Sequence, residues 1–170
     1  MSPRAACRLE TLGFPDVSDY VAGKADWLAH GLPREGEKAA EPRAIDLAVE
    51  DVVTCGLDDR VGEVRERVSG SRYDFAFVVS ANRVLLGRLG HPALEADPRL
   101  TAGAVMEPGP STIRPDSTLE PLADRMRSSH MTTLPITDPE GLLLGVIRRE
   151  DLEAAVSGGP APGVADCMLP

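Results

Sequence analysis

The chain has 170 residues, a net charge of −9, and one Trp, two Tyr and three Phe. No Lys/Arg run supplies the basic footprint that nucleic acid or an anionic membrane needs, and no apolar run nears the roughly 20 residues of a membrane helix. Cys7, Cys55 and Cys167 are widely spaced and odd in number, which points to free thiols in a reducing compartment. The first residues have no signal-peptide shape, so the expectation is a soluble cytoplasmic protein with an aliphatic core.

Two helices are predicted in the N-terminal part. Ser2 as N-cap and Pro3 at the first helical position start one that carries Leu9 and Leu12, and Gly13-Phe14 closes it. A second, over about 18–30, offers Tyr20, Val21, Trp27 and Leu28 before Gly31-Leu32-Pro33 stops it. Ala5, Ala6, Leu9, Gly13, Phe14, Val17, Tyr20, Gly23, Trp27 and Gly31-Leu32-Pro33 together resemble the C-terminal end of a rhodanese-like domain. The resemblance covers about the last third of such a fold and omits the part that would carry its catalytic cysteine loop. It implies a rhodanese-like remnant over 1–37, without rhodanese chemistry if the chain is complete. Arg34 to Arg43 reads as a polar linker, of which 38–43 leads into the next unit.

From Val53 onward the chain repeats itself. Val53–Leu94 and Ser111–Leu152 align without a gap, with Thr54 on Thr112 and Gly87 on Gly145, each pair 58 residues apart. Val61, Val64 and Val68 fall on Leu119, Leu122 and Met126, and Val84-Leu85-Leu86 on Leu142-Leu143-Leu144. One register held through a helix, two strands and a glycine marks an internal duplication. In the second copy Ser117-Thr118-Leu119-Glu120 has the capping-box pattern, and Leu119, Leu122, Ala123 and Met126 form a helical stripe. Thr133–Thr137 reads as a strand, Asp138-Pro139-Glu140-Gly141 as a turn, and Leu142–Ile147 as a strand buried on both faces. Asp151 opens or immediately precedes a last helix carrying Leu152 and Val156.

Leu134-Pro135-Ile136-Thr137-Asp138, Gly141 and Gly145-Val146-Ile147-Arg148-Arg149-Glu150-Asp151-Leu152 resemble the CBS domain, which occurs as a tandem pair. Val105-Met106 also fits, as such units often begin near a Val-Met step. The resemblance implies an α+β fold: two β-α-β-β-α repeats, 44–97 and 98–156, related by a pseudo-twofold, after a short helical segment. Ala96–Ala104 would join the repeats, and 157–170, rich in Pro and Gly, is expected to be a disordered tail.

The chemistry-bearing patterns are few. Cys55 and Arg60 have a Cys-x4-Arg spacing, but Cys55 aligns with Ile113 at a strand end, and neighbouring aspartates disfavour a thiolate. Cys7 reads as a helix-packing residue. His30, His91 and His130 have no metal-ligand spacing, no phosphate-loop motif occurs, and an enzyme is not expected.

Asp151 is the leading binding candidate. In CBS pairs that bind adenosine nucleotides, a Gly-x-x-Thr/Ser-x-x-Asp pattern places a carboxylate on the ribose hydroxyls and a hydroxyl near a phosphate. Here Gly145 and Asp151 are in place, and Arg148 stands where the hydroxyl belongs. Arginine can bind phosphate by bidentate, charge-assisted bonds, and Arg149 adjoins it. A carboxylate at this point can equally cap the helix. The family's crossed arrangement implies that Thr54, Asp59, Tyr73 and Phe75 complete the site, although the aromatic pair also suits a core. Asp59 and Asp74 would disfavour a polyphosphate. The matching site of the first copy has Gly90 and Ala93 in place of hydroxyl and carboxylate, so it is expected to be empty.

The expected function is regulatory sensing of AMP, ADP, ATP or S-adenosylmethionine through one site at Asp151. The alternative is a ligand-free dimerisation or scaffold module with degenerate sites. A homodimer through the CBS helices is expected in either case, with the two valine/leucine stripes serving either the dimer or the core.

Overall fold

The computed structural model describes residues 3–158; the predicted cap at Ser2, Cys167 and most of the predicted tail lie outside them. Helices α1 (Pro3–Thr11) and α2 (Gly23–Ala29) come first. The second is shorter than predicted because Gly23 takes φ +79, a left-handed conformation that blocks helix on its N-terminal side. Trp27 Nε1 donates to the Pro33 carbonyl at 2.8 Å, and the Trp27 and Tyr20 rings meet edge-on at 5.2 Å. This arm buries little: Leu12, Phe14 and Val21 are 58%, 56% and 92% exposed. Cys7 is also exposed, and not packed as the sequence implied.

Each repeat is an α+β unit. The first contains β1 (Thr54–Cys55), α3 (Val61–Ser69), β2 (Ala76–Val79), β3 (Leu85–Leu89) and α4 (His91–Leu94). After α5 (Ala102–Val105) and β4 (Glu107–Pro108), the second contains α6 (Leu119–Ser128), β5 (Thr133–Thr137), β6 (Leu143–Arg148) and α7 (Arg149–Val156). Strands β1–β4 form one sheet in that order; β5 and β6 pair antiparallel in another. The second copy's counterpart of β1 is reduced to one parallel bridge, Ile113 to Ile136, the image of Cys55 beside Val78.

The offset of 58 is realised as a pseudo-twofold axis. Val84 bridges Leu142, its own equivalent. On either side, the Leu85 amide donates to the Gly141 carbonyl at 2.9 Å and Leu143 to Arg83 at 3.0 Å, each bond the image of the other.

The short lead segments ahead of the repeats are exchanged. A 3-10 turn, Ala44–Leu47, donates from Ala44 to the Ser117 carbonyl, and Ala44 and Leu47 are buried in the second copy's core with Leu122, Met126 and Ile136. In return Ala102 of α5 donates to Asp59 and is buried with Val64, Val68 and Val78 of the first copy. Part of the expected linker is therefore core, because its small apolar residues complete a helix layer that the neighbouring repeat leaves open.

Gly87 and Gly145 are where the lead strands cross. A Cβ on Gly87 would lie 2.9 Å from the Glu107 carbonyl oxygen, and one on Gly145 2.9 Å from that of Val49. The valine stripe of α3 and the Leu/Met stripe of α6 face inward, all buried, so their apolar area serves the core. Thr118, and not Ser117, is the N-cap of α6, and its side chain makes no capping bond.

Candidate functional site

Two adjoining clefts open where the repeats meet, sharing Phe75, Thr132 and Thr133. The smaller, about 370 Å³, is lined by Arg72, Tyr73 and Asp74 of the first repeat and by Arg148, Arg149, Glu150 and Glu153 of the second. The larger, about 500 Å³, extends past Phe77 and Arg88 to Glu107–Ser111 and His130–Pro135. These walls come from strand starts and loop ends, where the polar backbone and hydroxyls of Thr132 and Thr133 replace packed apolar side chains.

Asp151 lies in the first turn of α7 and lines neither cleft; it meets the smaller one through Arg148. Arg148 is the N-cap residue of that helix, so Asp151 is not its cap. The Arg148 guanidinium clasps it instead: Nε donates to Oδ2 at 2.6 Å and Nη2 to Oδ1 at 2.9 Å. A third nitrogen, Nη1, meets Glu150 at 2.8 Å. The hydrogen bond to Asp151 holds Arg148 above the usual guanidinium pKa, against the opposing effect of burial. Asp151 is thus a satisfied buried carboxylate, with both oxygens engaged by a residue of its own chain. The signal was present in the sequence: arginine at the helix entry and aspartate three residues on is a spacing at which side chains meet.

Tyr73 stands at the cleft wall. Its hydroxyl donates to Asp51 Oδ1 at 3.3 Å, and Arg72 pairs with Asp51 Oδ2 at 2.7 Å. Burial, then the Asp51 charge, pushes the phenol pKa up. Phe75 is buried, its ring 5.3 Å from Tyr73 and 5.1 Å from Phe77. Arg149 lines the cleft and its amide donates to the Thr132 carbonyl at 2.9 Å.

Four of the sequence candidates, Arg148, Arg149, Tyr73 and Phe75, therefore line one cleft, and Asp151 adjoins it through its bonds to Arg148. Thr54 and Asp59 do not line either cleft. Arg67 holds that pair, through the Thr54 carbonyl at 3.1 Å and the Asp59 carboxylate at 2.6 Å. Arg88 was missed by the motif reading, although a charge inside the strand Leu85–Leu89 was a visible anomaly.

The corresponding place in the first repeat has no acid. Gly90 is the N-cap of α4, and Ala93 packs on the first core. Cys55 is 3% exposed, and its thiol faces the Phe77 carbonyl at 3.6 Å. Burial, with the Asp59 charge second, pushes it up to about 11, which is the reverse of what a sulfur nucleophile requires. Among the described residues no three His, Cys, Asp or Glu side chains converge as a metal site, and no helix is long and apolar enough to cross a membrane.

Residues 102–158 match the family model of the CBS domain. The fold is that of a CBS pair. The cytosolic domain of the Mg2+ channel MgtE in complex with ATP superposes with a TM-score of 0.62 at 27% identity, over 68% of this chain and 49% of that one. This chain thus spans about half of that relative. The CBS domains of a transcriptional regulator from Streptococcus pneumoniae give 0.61 at 19% identity, over 66% of this chain and 97% of theirs. CBSX2 from Arabidopsis thaliana has been solved in complex with AMP and gives 0.60 at 18%, over 68% and 96%. No curated protein sequence matches the chain. The family model falls on the second repeat, the copy that carries Asp151.

Proposed function

We propose that this CBS pair is a regulatory module, not a catalyst, and that it senses an adenosine nucleotide in the joined clefts beside Asp151. The carrying observation is the clasp of Arg148 on Asp151 at the edge of a cleft that is otherwise open. A ribose diol would donate to the same carboxylate oxygens that Arg148 holds, so ligand entry competes with the Arg148 clasp. That exchange gives binding a structural consequence at the start of α7. CBS structures that hold ATP and AMP support the ligand class; S-adenosylmethionine is the other candidate of the same chemistry. Because the smaller cleft carries Asp74, Glu150 and Glu153, a monophosphate is favoured over a triphosphate.

The test is a thermal-shift screen against AMP, ADP, ATP and S-adenosylmethionine with wild type, Asp151→Ala and Arg148→Thr. A ligand at 100-fold over its dissociation constant stabilises by about 2.7 kcal/mol. Wild type should shift with AMP, Asp151→Ala should not, and Arg148→Thr should shift at lower AMP concentration. No shift with any ligand in a folded protein would sink the sensor reading.

A second reading, a ligand-free dimerisation module, draws on Gly90, Ala93 and the already satisfied Asp151. Since the apolar stripes of α3 and α6 are buried, such a homodimer would use their polar outer faces and be weakened by salt. The N-terminal arm, with Leu12, Phe14 and Val21 uncovered, fits the rhodanese-like reading of 1–37 better than a role in the CBS core.

A further inference from the structure

Arg88 is the charged side chain of β3 at the larger cleft, and its position is the image of Val146, which is fully buried. Its guanidinium carbon lies 4.5 Å from the centre of the Phe75 ring. Its Nε is buried and has no hydrogen-bond partner. No ion pair to Arg88 occurs among the described residues, although Glu107 stands directly opposite it on β4. Directly opposed residues share a sheet face, yet the carboxylate across from Arg88 is not engaged by it. A cation so placed, stacked on an aromatic ring and short of a partner, is costly unless something else supplies the acceptor.

The two ends of the joined clefts differ in charge balance. At the smaller end Arg148 is neutralised by Asp151 and Glu150, and Arg149 shares its cleft with Asp74, Glu150 and Glu153. At the larger end Glu107 is the one carboxylate of the lining, beside Ser111, His130, Thr132 and Thr133, all able to hydrogen-bond an oxyanion.

We infer that Arg88 is the anion-binding residue of this cleft, taking the phosphate of a nucleotide monoester that Arg148 does not take. The inference rests on the nucleotide reading above and places the phosphate in the larger cleft, which joins the smaller one at Phe75, Thr132 and Thr133. Glu107 then acts as the competitor that sets how tightly an anion is held.

Calorimetric affinities for adenosine, AMP and inorganic pyrophosphate, measured on the full chain, test it. Wild type should prefer AMP over adenosine by on the order of tenfold or more, as a charge-assisted bond provides. Arg88→Gln should reduce AMP to the adenosine level, Arg88→Lys should restore part of the preference, and Glu107→Gln, at an exposed residue, should tighten AMP and pyrophosphate but not adenosine. Circular dichroism of each variant checks the fold. Equal binding of AMP and adenosine by wild type would overturn the assignment, as would a preference that survives Arg88→Gln and vanishes in Arg148→Gln; both leave the nucleotide reading intact. Pyrophosphate binding lost in Arg88→Gln, without any nucleotide binding, would keep the anion site and remove the nucleotide. Binding of none of the three removes both.

Discussion

Tyr73, Phe75 and Phe77 of the first repeat stand where Met131, Thr133 and Pro135 stand in the second. The rings pack with Val49, Val52, Leu143 and Val146 into a cluster between the repeats. Phe75 and Phe77 also form one wall of the cleft of about 500 Å³, and their smaller images Thr133 and Pro135, with Met131, line it as well. The two sets hold equivalent places in the repeat, and they differ in side-chain volume: the rings are buried in the cluster, and Met131 and Thr133 are only partly buried. The duplication thus supplied two equal frames, of which one was filled with aromatic rings and the other with smaller side chains.

The largest effect should come from removing a ring. Phe75→Ala is expected to cost about 3–5 kcal/mol and its image Thr133→Ala less than about 1, read from urea unfolding. Equal costs would mean that the two sides do not differ as described. The converse change, Thr133→Phe, puts a ring into both clefts and should abolish AMP binding while the far-ultraviolet circular dichroism stays unchanged.

A smaller effect tests what the sides share. Gly87→Ala and Gly145→Ala each drive a methyl group against a lead-strand carbonyl, at about 1–3 kcal/mol. Gly145 should be the worse, since its Cβ also meets the Ala48 methyl group at 3.4 Å, whereas Gly87 meets a flexible Met106 side chain. The clasp, present on one side only, comes next. Arg148→Met strands a carboxylate that is 10% exposed and should cost about 1–3 kcal/mol after allowance for the solvent that reaches Arg148. The double variant Arg148→Met/Asp151→Leu should recover most of it.

The smallest effect concerns Cys55, whose image is Ile113. Its folded pKa is raised from 9.0 to about 11, so the unfolded chain ionises first. The stability it contributes is complete below pH 9 and is lost as pH rises toward about 11, a loss that Cys55→Val should remove from the unfolding free energy. At pH 8 a thiol reagent should label exposed Cys7 in the native protein and leave Cys55 unmodified.

The register of 58 was fully legible in sequence, since apolar periodicity and paired glycines are local signals. Strand Thr133–Thr137 appears with the bounds that its residues imply. The exchange of the lead segments was not legible: Ala44–Leu47 and Ala102–Val105 are alike, and nothing in either says which core it joins. At the site, Gly145 and Asp151 were readable as a pattern. The clasp was missed because Arg148 was weighed as a phosphate ligand, without asking what an adjacent carboxylate would do to it. Thr54 and Asp59 were grouped with Asp151 by the family's crossed arrangement, whereas Arg67 ties them to α3.

The exchanged leads also bear on how such a chain arises. A polypeptide with one repeat would have an unfilled helix layer and a spare helix that fits it, but not in the same molecule. It would be obliged to trade that helix with a second copy, as domain-swapped dimers do. Fusing two copies end to end turns a trade between molecules into one within a molecule, and makes it independent of concentration. Only then can the halves diverge, because a mutation no longer appears on both sides of the axis at once. Arg88, Asp151 and the three rings each occur once because that constraint was lifted.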